Sequence, residues 1–200
     1  MAMAAKRSKV VMDESTASAP IFYEPRFLSD PDAVFLTLMR EVDWERRDAP
    51  RRECWMNPAG TPYTYGRGAG QRTYFPRPYH PLVARIASAL REIDINVDAC
   101  FLNRYDSQHE HLGWHADDSP EIDATRPIAV VSLGAERAIM VRRNGSNGIG
   151  SLTLANGSLF VMQPGMQATH QHKIPKHSAP CGARLSLTFR GLTPSAGAVQ

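Results

Sequence analysis

Two hundred residues, 42% apolar and 22% charged, suffice for one domain with a buried core and exclude a globally disordered chain. The net charge of +3 tolerates a polyanionic partner without demanding one, and no apolar run reaches membrane-spanning length. Three cysteines, Cys54, Cys100 and Cys181, are widely spaced and form no C-x-x-C pair, which fits packing residues in a reducing compartment better than a disulfide framework.

In chain order, residues 1–19 are small and polar with mixed charge, and they contain no signal-peptide apolar stretch, so they read as a disordered tail. A single domain is expected over 20–192, with a short tail at 193–200. An opening strand is expected at 21–23 and a helix at 31–42. That helix starts at Pro31 after a cap at Ser29 or Asp30 and buries Phe35, Leu38, Met39 and Val42. Residues 44–78 differ in kind. Arg46, Arg47, Arg51 and Arg52 crowd Asp48 and Glu53, then Trp55, Tyr63, Tyr65, Tyr74 and Phe75 follow among recurrent glycine and proline. Such a stretch predicts a loop-rich lid, its aromatics either covering the core or stacking on bases. A second helix is expected at 81–93, carrying Leu82, Ile86 and Leu90 at every fourth residue.

From residue 97 the pattern turns to strands, at 99–105, 127–133, 138–142, 151–154, 158–163 and 183–190, separated by turn signals such as Gly134 and Asn144-Gly145. Many short strands punctuated in this way predict a mainly β fold, a double-stranded jelly roll over 97–190 with supporting helices on one flank.

The chemistry gathers in the same half. His115 and Asp117 lie two apart, which in an extended chain puts an imidazole and a carboxylate on one face. They are two thirds of the facial triad of non-haem Fe(II) oxygenases, with His170, His172 and His177 as candidates for the third ligand. A zinc site at His109, His111 and His115 is the competing reading. The closing segment favours the first. Leu185, Leu187 and Phe189 alternate with Arg184, Ser186, Thr188 and Arg190, so one strand face is apolar and the other brings two guanidiniums to a polar interior. Arg184 and Arg190 are ~20 Å apart at ~3.3 Å per residue, close enough for long side chains to grip the two ends of a short dicarboxylate.

Asn103-Arg104-Tyr105, Trp114-His115-Ala116-Asp117-Asp118, Gln171-His172-Lys173-Ile174-Pro175 and the Arg184-to-Arg190 strand occur in an order that resembles the AlkB family of Fe(II)- and 2-oxoglutarate-dependent dioxygenases. The resemblance runs from about Pro50 to Arg190. It implies that His115, Asp117 and His172 hold Fe(II), with Asn103, Tyr105, Arg184, Ser186 and Arg190 around 2-oxoglutarate and O2 as the second cosubstrate. Ser186 stands where the family usually has asparagine, and Ser119 where many relatives have glutamate. The implied activity is oxidative demethylation of 1-methyladenine and 3-methylcytosine in DNA, alternatively RNA, releasing formaldehyde, succinate and CO2. Arg51, Tyr63, Tyr65 and Asp118 would meet the substrate, with Tyr65 and His115 sandwiching a flipped base. Apart from the resemblance, Arg137, Arg142 and Arg143 on the candidate hairpin near Asn144-Gly145 read equally as a phosphate clamp or as a solvated basic hairpin. A 2-oxoglutarate oxygenase of a tRNA base, a protein or a small molecule is the alternative. The resemblance further implies a monomer, cytoplasmic or nuclear, without a membrane partner. Asp117→Ala is expected to abolish turnover with the fold largely intact.

Overall fold

The computed structural model describes residues 20–194 apart from Asp48, Arg67, Ala69 and Gly70; the expected tail at 1–19 and most of that at 193–200 lie outside the described residues. In chain order the elements are β1 (Ile21–Glu24), α1 (Pro31–Glu41), β2 (Arg52–Met56), β3 (Tyr63–Tyr65), β4 (Arg72–Tyr74), α2 (Pro81–Arg91), β5 (Ala99–Tyr105) and β6 (Leu112–His115). There follow β7 (Ile128–Gly134), β8 (Arg137–Arg143), β9 (Ile149–Leu154), β10 (Ser158–Met162), α3 (Met166–Thr169), β11 (His170–Ile174) and β12 (Arg184–Arg190).

Two antiparallel sheets face one another as a jelly-roll sandwich. The large one runs β1-β10-β7-β12-β5-β2 and the small one β6-β11-β8-β9, while β3 and β4 form a separate hairpin. Strand β12 is central, paired with β5 on one side and β7 on the other, and all seven of its residues are buried. Its alternation divides the molecule. Leu185, Leu187 and Phe189 join the core beneath the helices, with Leu38 of α1 and Val83, Ile86 and Leu90 of α2. Ser186, Thr188 and Arg190 face the space between the sheets, where His115, Ile139 and His172 of the small sheet also lie. Both helices start where the local chemistry supplies a cap. Asp30 accepts a hydrogen bond from the Ala33 N–H at 3.3 Å, the His80 ring accepts one from Leu82 at 3.2 Å, and a proline opens each helix.

The expected loop-rich lid is corrected in its first part. Arg52–Met56 is an edge strand of the large sheet, paired along its length with β5. Both of its faces are covered: Cys54 and Met56 point to the helix-side core, and Trp55 to the core between the sheets. A strand buried on both sides shows no polar-apolar alternation, so its period is invisible in sequence. The hairpin β3–β4 follows, and Trp55, Tyr63 and Tyr74 are fully buried against Phe101 as a cluster of rings. Phe75, by contrast, is 70% exposed.

Gly134 closes the turn between β7 and β8 at φ +79°, a conformation that L side chains rarely adopt. A Cβ there would come within 2.5 Å of the Ala183 carbonyl oxygen and 2.6 Å of the Phe35 ring. Gly134→Ala is therefore expected to lower the unfolding free energy by about 2–4 kcal/mol, measured by urea denaturation, through backbone strain and overpacking together.

Candidate metal and cosubstrate site

Between the sheets, strand pairing brings together what the sequence keeps 57 residues apart: His172 of β11 is the direct cross-strand partner of His115 of β6. Their ring centroids are 4.2 Å apart. Strand β6 ends at His115, so Asp117 stands in the following loop rather than on an extended strand. The loop is fixed from two sides. Gln167 of α3 accepts the Asp117 backbone N–H at 2.9 Å, and Arg190 donates to Asp117 Oδ1 at 2.7 Å. His115 Nε2 is 3.8 Å from Asp117 Oδ1 and His172 Nε2 is 3.9 Å from Oδ2. All three ligand atoms lie within 4.8 Å of one another, and this is the cluster of metal-ligating side chains found among the described residues.

The protonation states suit a metal. Burial, then the neighbouring His115, pushes His172 down to about 3, and burial likewise lowers His115, so both rings are neutral and able to coordinate. His115 Nδ1 donates to the Gly113 carbonyl at 2.9 Å, which turns Nε2 toward Asp117. Burial raises the Asp117 carboxyl, but the Arg190 guanidinium beside it outweighs burial and holds the group below its ordinary value.

Deeper in the sandwich, Arg184 is fully buried and its Nε donates to Ser132 at 3.0 Å, whereas Nη1 and Nη2 have no hydrogen-bond partner. Its guanidinium lies 5.3 Å from the Tyr105 ring centroid. Burial, against the attraction of Tyr105, pushes it down to about 10, so it still carries its charge at neutral pH. Orphaned donors on a buried cation mark where an anion belongs. Arg190 likewise keeps Nε and Nη1 unpartnered. Two bidentate-capable guanidiniums on the large sheet and a His-Asp-His cluster whose histidines lie on the small sheet opposite fit a dicarboxylate that also reaches a metal. Asn103 and Ser186 face each other across β5 and β12 beside these groups.

The other expected residues are distributed unevenly. Arg51 is buried, its Nε donating to Asn103 Oδ1 at 2.6 Å and its Nη2 ion-paired to Glu53 at 2.6 Å, so it is an internal strut rather than a surface contact. Tyr63 is fully buried beneath Tyr65, with ring centroids 6.4 Å apart. Tyr65 stands at the cavity edge-on to His115, at 6.2 Å and 74°. That is not the parallel slot of about 7 Å, two stacking distances, that a sandwiched base would need. Asp118 is exposed beside the site. Arg137 is 1% exposed and donates to the carbonyls of Ser107, Glu110 and Pro175, which corrects its expected place on a phosphate-clamping hairpin. Arg142 lies on the Trp114 ring at 4.3 Å, and Arg143 is exposed. His170 pairs with Arg143 rather than with the cluster, and His109 and His111 contact their own loop, so the zinc alternative is not assembled.

Sequence reasoning missed Glu53, Gln167 and Ser132. Glu53 reads as a surface residue among arginines, yet it is fully buried and accepts a hydrogen bond from the Tyr74 hydroxyl. Gln167 and Ser132 act only through contacts 50 and 52 residues away, for which no local signal exists. A hollow of about 510 Å³, lined by residues such as Phe22, Ile95 and Val161, lies on the helix side of the large sheet, away from this chemistry.

Two predictions follow from the electrostatics. Asp117→Ala would strand a buried Arg190, so the variant, though still folded, is expected to lose about 3 kcal/mol of stability in urea denaturation. The folded protein refuses protons on His115 and His172 that the unfolded chain takes up below about pH 6.5. Stability of the metal-free protein is therefore complete above that pH and falls as pH drops below it, for His172 down to about pH 3 and by up to about 1.4 kcal/mol per pH unit, with His115 adding in the same direction. A urea midpoint that stayed constant from pH 7 to pH 4.5 would contradict this.

A family model described as 2OG-Fe(II) oxygenase superfamily matches residues 7–190. The chain is 29% identical over 187 residues to alpha-ketoglutarate-dependent dioxygenase alkB homolog 3 of Bos taurus, covering 84% of this chain and 63% of that protein. It is 28% identical over 188 residues to DNA oxidative demethylase ALKBH2 of Mus musculus, covering 84% and 77%. The solved structure of OsALKBH1 superimposes with a TM-score of 0.62 at 16% identity, covering 86% of this chain and 97% of that one, a likeness of fold. With a His-Asp-His cluster that could hold a metal ion between its two sheets, the chain belongs to the 2OG-Fe(II) oxygenase superfamily, and within it to the AlkB family.

Proposed function

We propose that this protein is an Fe(II)- and 2-oxoglutarate-dependent oxidative demethylase of N-alkylated bases, 1-methyladenine and 3-methylcytosine, in DNA, with RNA as the alternative polymer. The observation that carries the oxygenase reading is the pair of orphaned nitrogens on buried Arg184, on the large sheet that faces the histidines of the His-Asp-His cluster on the small one. Similarity to a relative named for DNA oxidative demethylation supports the substrate.

In this reading His115, Asp117 and His172 hold Fe(II) as a facial triad. Bound there, the metal would activate O2, the oxidant, with 2-oxoglutarate as the two-electron reductant that leaves as succinate and CO2, so that one oxygen atom hydroxylates an N-methyl group that is then lost as formaldehyde. Arg184 and Tyr105 take the distal carboxylate. Arg190 steadies Asp117 and turns its remaining N–H groups toward the carboxylate nearest the metal. Asn103, oriented by Arg51, and Ser186 complete the polar wall. The interior excludes water, which strengthens each of these contacts.

At the mouth Tyr65 is the residue to stack on an extruded base, its ring swinging from the edge-on pose, with Tyr63 as its floor. Asp118 faces a methylated ring that is cationic, and its charge favours that form over the neutral base. The protein acts as a monomer in a nucleic-acid-containing, reducing compartment, consistent with free Cys54, Cys100 and Cys181. No helix of the described residues is long and apolar enough to cross a membrane. The second reading, another substrate for the same oxygenase core, is favoured by the edge-on Tyr65, which leaves the base slot unformed.

The test is mass spectrometry of an oligonucleotide with one 3-methylcytosine, incubated with Fe(II), 2-oxoglutarate and ascorbate. Loss of one methylene unit that requires both iron and 2-oxoglutarate is expected. Succinate release without loss of the methyl group would move the search to other substrates. Arg184→Gln is expected to raise the KM for 2-oxoglutarate by roughly tenfold to a hundredfold, because a charged hydrogen-bond pair is lost from a buried site. An unchanged KM would remove Arg184 from the cosubstrate.

A further inference from the structure

Thr64, the middle residue of β3, spends neither of its backbone groups on β4. Its N–H donates to Glu121 Oε1 at 3.2 Å, and its carbonyl accepts from the Ser119 hydroxyl at 3.0 Å. Thr64 and Thr73 face each other across the hairpin as a pair whose side chains approach closely, Oγ1 to Oγ1 at 3.3 Å, while the backbone groups of Thr64 point outward. The outward edge of a two-stranded hairpin is ordinarily solvated or paired with another strand. Here two side chains of one loop replace that strand, one accepting and one donating.

The loop is the one that carries Asp117. It is anchored at its far end: Ile122 bridges Leu192, the Asp123 N–H donates to Gly191 and the Thr193 N–H donates to Glu121, all just beyond β12. Within the loop, Asp117 is held by Arg190 and Gln167, independently of Ser119 and Glu121. The chain thus has a rigid bar from β12 through the Asp117 loop, and the hairpin bearing Tyr65 hangs from it by Thr64. The hairpin's other ties include the packed rings of Tyr63 and Tyr74, the Tyr74 hydroxyl on Glu53 and the Thr73 carbonyl on Arg47, which fix its base and its β4 strand but leave Tyr65 half-buried at the cavity.

We infer that Ser119 and Glu121 are positioning residues that latch the Tyr65 hairpin to the metal-bearing loop and thereby set where an incoming base stands relative to the metal. The inference deepens the demethylase reading and rests on it for the identity of the base. The latch itself is a matter of two hydrogen bonds. Serine at 119 acquires a reason of its own: its short hydroxyl reaches the Thr64 carbonyl, a bond that an ionised carboxylate, having no proton to donate, cannot make.

The experiment compares wild type with Ser119→Ala/Glu121→Ala and with the conservative pair Ser119→Thr/Glu121→Gln, which keeps a hydroxyl donor and a carbonyl acceptor. Hydrogen exchange of the peptide spanning residues 63–65 reads the latch without any substrate. The alanine pair is expected to speed exchange at Thr64 by about tenfold, as two lost hydrogen bonds allow, and the conservative pair to restore protection. With the methylated oligonucleotide, the alanine pair is expected to raise KM about tenfold while kcat, and succinate released without oligonucleotide, change by less than about threefold. Unchanged exchange at Thr64 would overturn the latch. Faster exchange with an unchanged oligonucleotide KM would overturn its role in placing the base. If wild type leaves the oligonucleotide untouched, the demethylase reading fails, and the exchange measurement still decides the latch.

Discussion

The buried ion pair between Arg190 and Asp117, 2.7 Å long with side chains 3% and 1% exposed, is the constraint on which the rest of the site depends. A charge removed from water must find its partner inside, and an isolated one would cost several kcal/mol. The last residue of the central strand and the ligand-bearing loop are therefore bound to each other whether or not a metal is present. Asp117 is thereby kept ionised, and its ionisation in turn is what lets Arg190 point inward rather than escape to solvent. The wall that β12 offers to the cavity exists because this pair closes it.

Around that pair the interior is unusually cationic. Among the described residues, Arg51, Arg137, Arg184 and Arg190 are buried, whereas the buried carboxylates are Glu53 and Asp117. Arg51 spends its charge on Glu53, and Arg137 on backbone carbonyls, which leaves Arg184 without a partner for its terminal nitrogens. An arginine in this state is stored instability, offset by the packing around it and relieved when an anion arrives. In the function proposed for this site, binding of 2-oxoglutarate and stability would be coupled through that one guanidinium.

How much of this was legible in the sequence depended on whether a signal was local. Strand β12 was readable because its two faces meet different surroundings, so apolar and polar residues alternate without a break from Arg184 to Arg190. Helix α1 was readable from Asp30, Pro31 and the spacing of Leu38 and Val42. Strand β2 was not, because cover on both faces erases the period and Glu53 looks like a surface charge. The choice of His172 over His170 could not be made from spacing alone, since the two share a strand face; the register of β11 against β6 makes it in the fold. The substrate-side residues were the least legible. Arg51 and Tyr63 have compositions typical of a nucleic-acid surface, and only the three-dimensional packing turns them inward, as supports for Asn103 and Tyr65.

The opposition of His115 and His172 across one ladder also bears on how the chain reaches its native pairing. A strand that slips by one residue turns every side chain to the other face. Were β11 to slip against β6, Gln171 or Lys173 would face His115 in place of an imidazole, and the cluster would lose a ligand. The ladder is already irregular here, with a shift of register between His172 and Ile174. A metal ion that binds only the complete set stabilises one register by mass action and leaves the slipped ones unaided. Iron would thus serve the folding chain as a proofreader before it served the enzyme as a reagent.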